Sequence, residues 1–263
     1  MAANNSDSDT MICEACKRKQ TAAVNGNGWK AYHGKSEHVL SDLADGSVGA
    51  VITDPPYGTG ANGVTARTAS TSTKYRTTGA AELPEFAGDS LLPEAWSAMM
   101  SKVWRECYRV CGEGAVVLAF CDWRAFHPML TQITSVGFKS RGVVVWNKGR
   151  GARPTKNGFR AQSEFIIYAS KGKLRERPNP FYGDGVINCT TKVNNKRHTT
   201  EKPLQLMAEL IKCAAPGALI VDPFQGSGTT GEAAIAAGYE FIGIEETEAY
   251  HKIATERLRN AER

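Results

Sequence analysis

The tetrapeptide Asp54-Pro55-Pro56-Tyr57 combines a carboxylate, two residues without a backbone N–H, and a phenol. It follows Val48 to Thr53 (VGAVIT), a short apolar, β-branched run that reads as a buried strand. The prolines stop that strand, because neither can donate to a ladder, and they freeze the backbone so that a carbonyl points outward. A carboxylate beside a fixed carbonyl offers two acceptors to an amine that carries two hydrogens. Holding both hydrogens shifts the nitrogen towards tetrahedral geometry and frees its lone pair for in-line attack on a methyl electrophile. Tyr57 adds a face on which a planar base, turned out of a duplex, can stack. Asp54, Pro55, Pro56 and Tyr57 are the candidate catalytic set, with a plain strand terminator as the competing reading.

A second segment, Val221-Asp222-Pro223-Phe224-Gln225-Gly226-Ser227-Gly228-Thr229-Thr230, sets a glycine-rich turn between an apolar run and a helical one. Glycines let the backbone approach a ligand closely, and the free amides of a helix N-terminus suit an anion. The turn lacks the lysine of a phosphate-binding loop and the full dinucleotide fingerprint. Glu245 closes the next apolar run, FIGIEE, 23 residues after Asp222, a spacing similar to that by which nucleotide folds place an acid on ribose hydroxyls. The pair describes a pocket for an adenosine bearing a carboxylate, and S-adenosylmethionine fits that description.

The elements around these two segments alternate. A helix is predicted from Pro93, with apolar positions at Trp96, Met99, Met100, Val103, Trp104, Cys107 and Tyr108, ending at Gly112 and Gly114. Strand Ala115 to Phe120, helix Trp123 to Ser135, and strands Arg141 to Trp146 and Glu164 to Ala169 follow. Helix Lys202 to Cys213, strand Leu219 to Val221, helix Gly228 to Ala237 and strand Tyr239 to Ile244 complete the series. Alternation of this kind implies an α/β fold with a mostly parallel sheet covered on both faces. Residues 1–28 read as a flexible leader before one domain at 29–263, and 58–90, rich in Thr, Ser, Gly and Ala, reads as a mobile loop.

Charge is distributed unevenly. The net formal charge is +5, yet between Lys139 and Arg160 there are seven basic residues and no acidic one. From Lys171 to Arg197 seven basic residues face two acidic ones, Glu176 and Asp184. Clusters in neighbouring loops suit a phosphate backbone, although a solvated cationic surface has the same composition. Lys148, Arg150, Arg153, Lys156, Arg160, Arg175, Arg177, Lys196 and Arg197 are the candidate DNA-binding residues, in loops 149–160 and 171–197. Whether an arginine among them reads guanine edges or phosphate stays open.

No run approaches the ~18 apolar residues of a membrane span, and the N-terminus lacks a secretory block, so a cytoplasmic protein with reduced thiols is expected. Cys13 and Cys16 form a CxxC without a second pair at zinc spacing, and no metal site is expected.

From about Trp29 to Arg259 the chain resembles the β-class of DNA amino-methyltransferases, in which a DPPY motif precedes the target-recognition region and the cofactor motif comes last. The resemblance implies a Rossmann-like, seven-stranded methyltransferase sheet with permuted motif order. Under it, Asp222, Phe224, Gly226, Ser227, Gly228, Thr229, Thr230 and Glu245 bind S-adenosylmethionine, with Tyr250 completing a ribose-binding pattern. His198, Thr200, Lys202 and Pro203 look like the family's HPTxKP motif, which lines the methionine side of the pocket; Thr199 departs from its proline. Arg105 to Val110 resembles the helix after DPPY. Where the family often has an aspartate near the cofactor adenine, this chain has Lys35 after Gly34, so that contact falls to other groups, such as Asp54 or a main-chain amide.

The expected activity is methylation of adenine N6 in double-stranded DNA at a short specific site, by a homodimer reading a palindrome, as a solitary methylase of a bacterium, phage or prophage; any restriction partner would be a separate protein. Cytosine N4 is the alternative, which by resemblance goes more often with serine in the first position. Pyrimidine C5 chemistry needs a cysteine nucleophile, usually after proline, and no cysteine here follows one. RNA or protein amino-methyltransferases and an inactive DNA-binding relative are the remaining readings; related RNA and protein enzymes tend to carry asparagine first and the opposite motif order.

Overall fold

The computed structural model describes residues 23–58, 92–152, 154–191 and 201–262. Nine strands form a single sheet: β1 (Ala23–Gly26), β2 (Trp29–His33), β3 (Val48–Thr53), β4 (Cys111–Cys121), β5 (Lys139–Asn147), β6 (Ser163–Ser170), β7 (Val186–Asn188), β8 (Leu219–Asp222) and β9 (Glu240–Glu245). Their spatial order is β1-β2-β9-β8-β3-β4-β6-β5-β7. The run from β2 through β4 is parallel, whereas β6 is antiparallel to both β4 and β5, and β1 to β2. The seven interior strands match the expected seven-stranded sheet, and β1 and β7 are short additions at its two edges.

Six helices cover the sheet among the described residues: α1 (Ser36–Ser41), α2 (Pro93–Val110), α3 (Phe126–Ser135), α4 (Leu204–Ile211), α5 (Thr229–Ala236) and α6 (Glu248–Ala261). Because side chains alternate along a strand, each strand feeds both faces. Val51, Val117, Ala119, Ile167 and Val221 pack with α1, α2 and α3, while Ala50, Ile52, Leu118, Phe120 and Ile220 pack with α4, α5 and α6. Helix α2 buries Trp96, Met100, Val103, Trp104, Cys107 and Val110, a stripe at helical period. Each such side chain contributes about 1.5–3 kcal/mol on leaving water, which fixes α2 against the end of β3.

The sequence boundaries shift in three places, each for a local reason. Residues 23–28, read as leader, form β1 and the turn into β2; four residues with no apolar alternation give no strand period to see. Gly112 and Gly114 do not separate a helix from a strand at Ala115, because β4 already starts at Cys111, where the chain turns extended directly after α2. Helix α3 begins at Phe126, since Asp122 accepts the backbone N–H groups of Arg124 and Ala125 and holds a turn first. Residues 1–22 and 59–91, with the Cys13–Cys16 pair and nearly all of loop 58–90, lie outside the described residues.

Candidate active site

Strands β3 and β8 lie side by side and parallel, with Val51 opposite Val221, so their carboxyl ends emerge together. Such a strand end, where chain connections diverge, is where open α/β sheets place ligands. A hydrogen bond from Thr53 Oγ1 to Asp222 Oδ1, 2.7 Å, ties the two ends. Asp54-Pro55-Pro56-Tyr57 leaves one strand and the Asp222–Thr230 turn leaves the other.

The tetrapeptide is clamped from α2. Trp96 Nε1 donates to the Pro56 carbonyl at 2.6 Å. Gly58, at φ +64°, lies flat against the same indole, where a Cβ would come within 2.7 Å of Trp96 Cγ.

Around Asp54 lies a half-buried to buried charge cluster drawn from four distant segments. Tyr57 Oη stands 2.6 Å from Asp54 Oδ1 and 2.7 Å from Glu164 Oε1. Lys202 Nζ pairs with Asp54 Oδ2 and, at 3.0 Å, with Glu164 Oε1, and it sits 4.9 Å from the Phe120 ring centroid. Lys148 Nζ binds Glu164 Oε2 at 2.6 Å. Burial raises the Asp54 carboxyl, and Lys202 only partly opposes that. Burial acts on Glu164 in the same sense, but Lys202 and Lys148 together outweigh it and hold that carboxyl down at about 2. Burial and both carboxylates push the Tyr57 phenol well above its ordinary range, so it stays protonated and donates.

The glycine turn is organised from beneath. Gly228, at φ +83°, is the N-cap of α5, and a Cβ there would press within 3.1 Å of the Ala254 backbone. Glu245 Oε2 accepts from Gly226 N at 3.0 Å and Oε1 from Thr247 N at 2.8 Å, so the carboxylate is fixed at the turn. Burial nevertheless pushes it up to about 7. Asp222 spends its carboxylate internally, on Thr53, on Phe224 N at 3.0 Å and on Thr230 Oγ1 at 2.6 Å, and burial pushes it up to about 6. Its place is that of a rivet under the turn.

Arg257 of α6, absent from the sequence-derived set, joins Glu201 at 2.7 Å, Thr229 Oγ1 at 2.8 Å and Glu232. Glu164, Glu201, Glu232 and Trp96 were likewise not singled out. The one local signal is the adjacency of Glu201 to Lys202 inside the HPTxKP-like motif; in the sequence Glu164 reads only as the start of a strand.

The assigned residues have the following partners. Lys202, expected on the cofactor side, pairs with Asp54 and Glu164, and Pro203 is the N-cap of α4. Lys148, expected on DNA, turns inward to Glu164. Arg177 donates to the carbonyls of Lys212, 3.0 Å, and Cys213 at the end of α4, and Arg160 to those of Arg150, 3.1 Å, and Ala152. Arg150, Lys156 and Arg175 are exposed, as their assignment needs. Phe224 packs partly buried on the core, and Ser227, Thr229 and Thr230 are buried in the turn. Lys35 faces Glu246 at 3.7 Å. Arg153, Lys196, Arg197, His198, Thr199 and Thr200 lie outside the described residues. Among the described residues no His/Cys/Asp/Glu group is arranged to hold a metal, and no helix is long and apolar enough to cross a membrane.

Comparison with known proteins places these features in context. The N6/N4 family described as DNA methylase matches residues 48–256. YubD of Escherichia coli (strain K12), provisionally named as a methylase, is 28% identical over 231 residues, covering 88% of this chain and 90% of its own. The DNA adenine methyltransferase YhdJ of Escherichia coli (strain K12) is 45% identical over 64 residues, 24% of this chain and 22% of its own. Among solved structures, the M1.HpyAVI–SAM complex superposes with a TM-score of 0.62 at 22% identity, over 88% of this chain and 99% of the other, and supports the fold.

Proposed function

The chain belongs to the N6/N4 DNA methylase family, and on that premise we propose that it methylates adenine N6 of a base flipped out of double-stranded DNA, with S-adenosylmethionine as donor. The observation that carries the reading is the Asp54-Pro55-Pro56-Tyr57 strand end fixed beside the Gly226–Glu245 turn. The donor set fits the cofactor: Glu245 is a partly buried carboxylate pinned by two amides with lone pairs left for ribose hydroxyls, and Gly228 opens α5 without a side chain. Gly226, Ser227 and Gly228, with the first turn of α5, would hold its carboxylate. When bound, S-adenosylmethionine supplies an electrophilic methyl on a sulfonium.

The chain's own residues then bind and orient the amine. Asp54 accepts one N–H and the Pro55 carbonyl accepts the other, while Trp96 holds the Pro56 carbonyl in place. Tyr57 stacks on the base, its ring held through the hydroxyl. Lys202 keeps a positive charge against Asp54, favouring the ionised form that accepts. Aspartate in the first position favours adenine over cytosine N4, as does the short match to the adenine enzyme YhdJ. Loops 149–160 and 171–197 contact the DNA through exposed Arg150, Lys156 and Arg175, and two copies read a short palindrome.

The test incubates the protein with methyl-labelled S-adenosylmethionine and unmethylated genomic DNA, then digests to nucleosides. Label in N6-methyladenosine is expected. Label in N4-methylcytosine selects the other base, and labelled RNA or protein with unlabelled DNA overturns the reading.

A further inference from the structure

Tyr57 has one hydroxyl proton and two carboxylates within reach, Asp54 Oδ1 at 2.6 Å and Glu164 Oε1 at 2.7 Å. The two acceptors are unequally equipped. Glu164 is buried, with Lys148 on one oxygen and Lys202 on the other, and stays ionised across the working range. Asp54 has Lys202 alone, and burial raises its carboxyl towards the range where it can take a proton.

Methyl transfer to an exocyclic amine leaves a cationic nitrogen that must release a proton. If Asp54 accepts that proton, its new O–H needs an acceptor. The nearest oxygen is Tyr57 Oη, which can accept only if its own hydrogen has somewhere else to point. Glu164 Oε1 is that place. We propose that Glu164 is a positioning residue for the transfer reaction: as a permanent acceptor for the Tyr57 hydroxyl, it lets the phenol turn away from Asp54, so that Asp54 serves as general base for the amine. The N–H bond of the methylated amine breaks and an Asp54 O–H bond forms; the proton leaves to solvent with product. Glu164 never carries it.

This rests on the proposed amino-methyltransferase reading. Among the described residues the charged and titratable groups facing Asp54 are Lys202, Tyr57, Glu164, buried Asp222 and the Cys121 thiol, and Glu164 also binds the Tyr57 hydroxyl. Lys148 ties Glu164 to the stem of the basic loop, where Lys148 N donates to the Gln162 carbonyl at 2.7 Å, so the acceptor is braced from the DNA side.

Glu164→Gln tests it in two ways. In the protein without cofactor, carbon-13 NMR of labelled aspartate should show the Asp54 carboxyl titrating at lower pH, since the neutral amide no longer raises it by its charge and is a weaker acceptor for the Tyr57 hydroxyl. In single-turnover methylation the rate at the plateau should fall ~10- to 100-fold, KM for DNA should move less than ~2-fold, and the acid limb should shift to lower pH. In a Tyr57→Phe background the same change should add less than ~2-fold, because no hydroxyl is left to turn. Glu164→Asp, which keeps the charge for both lysines but withdraws the oxygen from Tyr57, should show the same shifts in smaller measure and covers a poorly folding Gln variant. Unchanged Asp54 titration, or additive effects of the two substitutions, overturns the inference. A wild-type protein that methylates no DNA instead overturns the reading beneath it.

Discussion

Glu201 and Lys202 are neighbours in the chain and serve opposite halves of the site. Glu201 turns to Arg257 and through it to Thr229 and Glu232, beneath the glycine turn. Lys202 turns to Asp54 and Glu164, beneath the Asp54–Tyr57 strand end. The first network is a clamp: the Arg257 and Glu201 side chains are 6% and 2% exposed, and the guanidinium fork fixes three acceptors at once. The second shares one phenol proton between two carboxylates, around Lys202 and Glu164 side chains each 10% exposed. A site that holds a cofactor gains from rigidity, whereas a site that takes up a proton needs a hydrogen bond that can be redirected.

Four predictions break or sharpen that contrast. Asp54→Ala should lower methyl transfer ~10³- to 10⁴-fold, since acceptor and base are both lost, while cofactor affinity by calorimetry stays within ~3-fold. Retained transfer would remove Asp54 from the chemistry. Arg257→Met leaves Glu201 and Glu232 without their cation, so the urea-unfolding free energy should drop by ~3–5 kcal/mol, with weaker cofactor binding. An unchanged midpoint would mean that the clamp contributes nothing.

The neighbouring pair gives the sharpest separation. Lys202→Met should slow transfer ~10-fold or more with cofactor affinity nearly intact, and Glu201→Gln should weaken cofactor binding and stability with a smaller effect on the chemical step. Identical profiles would merge the two networks into one.

The smallest effect is in pH. Burial holds the Asp222 and Glu245 carboxyls at about 6 and about 7, so without ligand their contribution to stability is full on the acid side and is lost as pH rises through those values. Ribose hydroxyls donating to ionised Glu245 act in the opposite sense. Cofactor affinity should therefore rise up to ~10-fold from pH 6 to pH 8, with proton release on binding measurable in buffers of different ionisation enthalpy. Affinity flat across that range would remove Glu245 from the contact.

The strands around the site were legible because their apolar runs are short and bounded by glycine and proline; β1, β2 and β7 were not, being only three to five residues long. Helix α2 was legible from its stripe, although its junction with β4 was obscured by two glycines that read as a stop.

What the sequence by itself determined is whatever depends on local backbone chemistry. Two prolines after a buried strand leave few conformations for Asp54 and Tyr57, and glycines at the turn admit a ligand and a left-handed N-cap at Gly228. What only the tertiary structure decided is the partnership of the charges. Glu164 meets Tyr57 across 107 residues, Lys202 meets Asp54 across 148, and Arg257 meets Glu201 across 56. Sheet order and helix packing bring those backbones together, and long lysine and arginine side chains then turn to whichever buried carboxylate most needs a counter-charge. That is why Lys202 and Lys148 face Asp54 and Glu164, partners that neither their motif nor their loop announces.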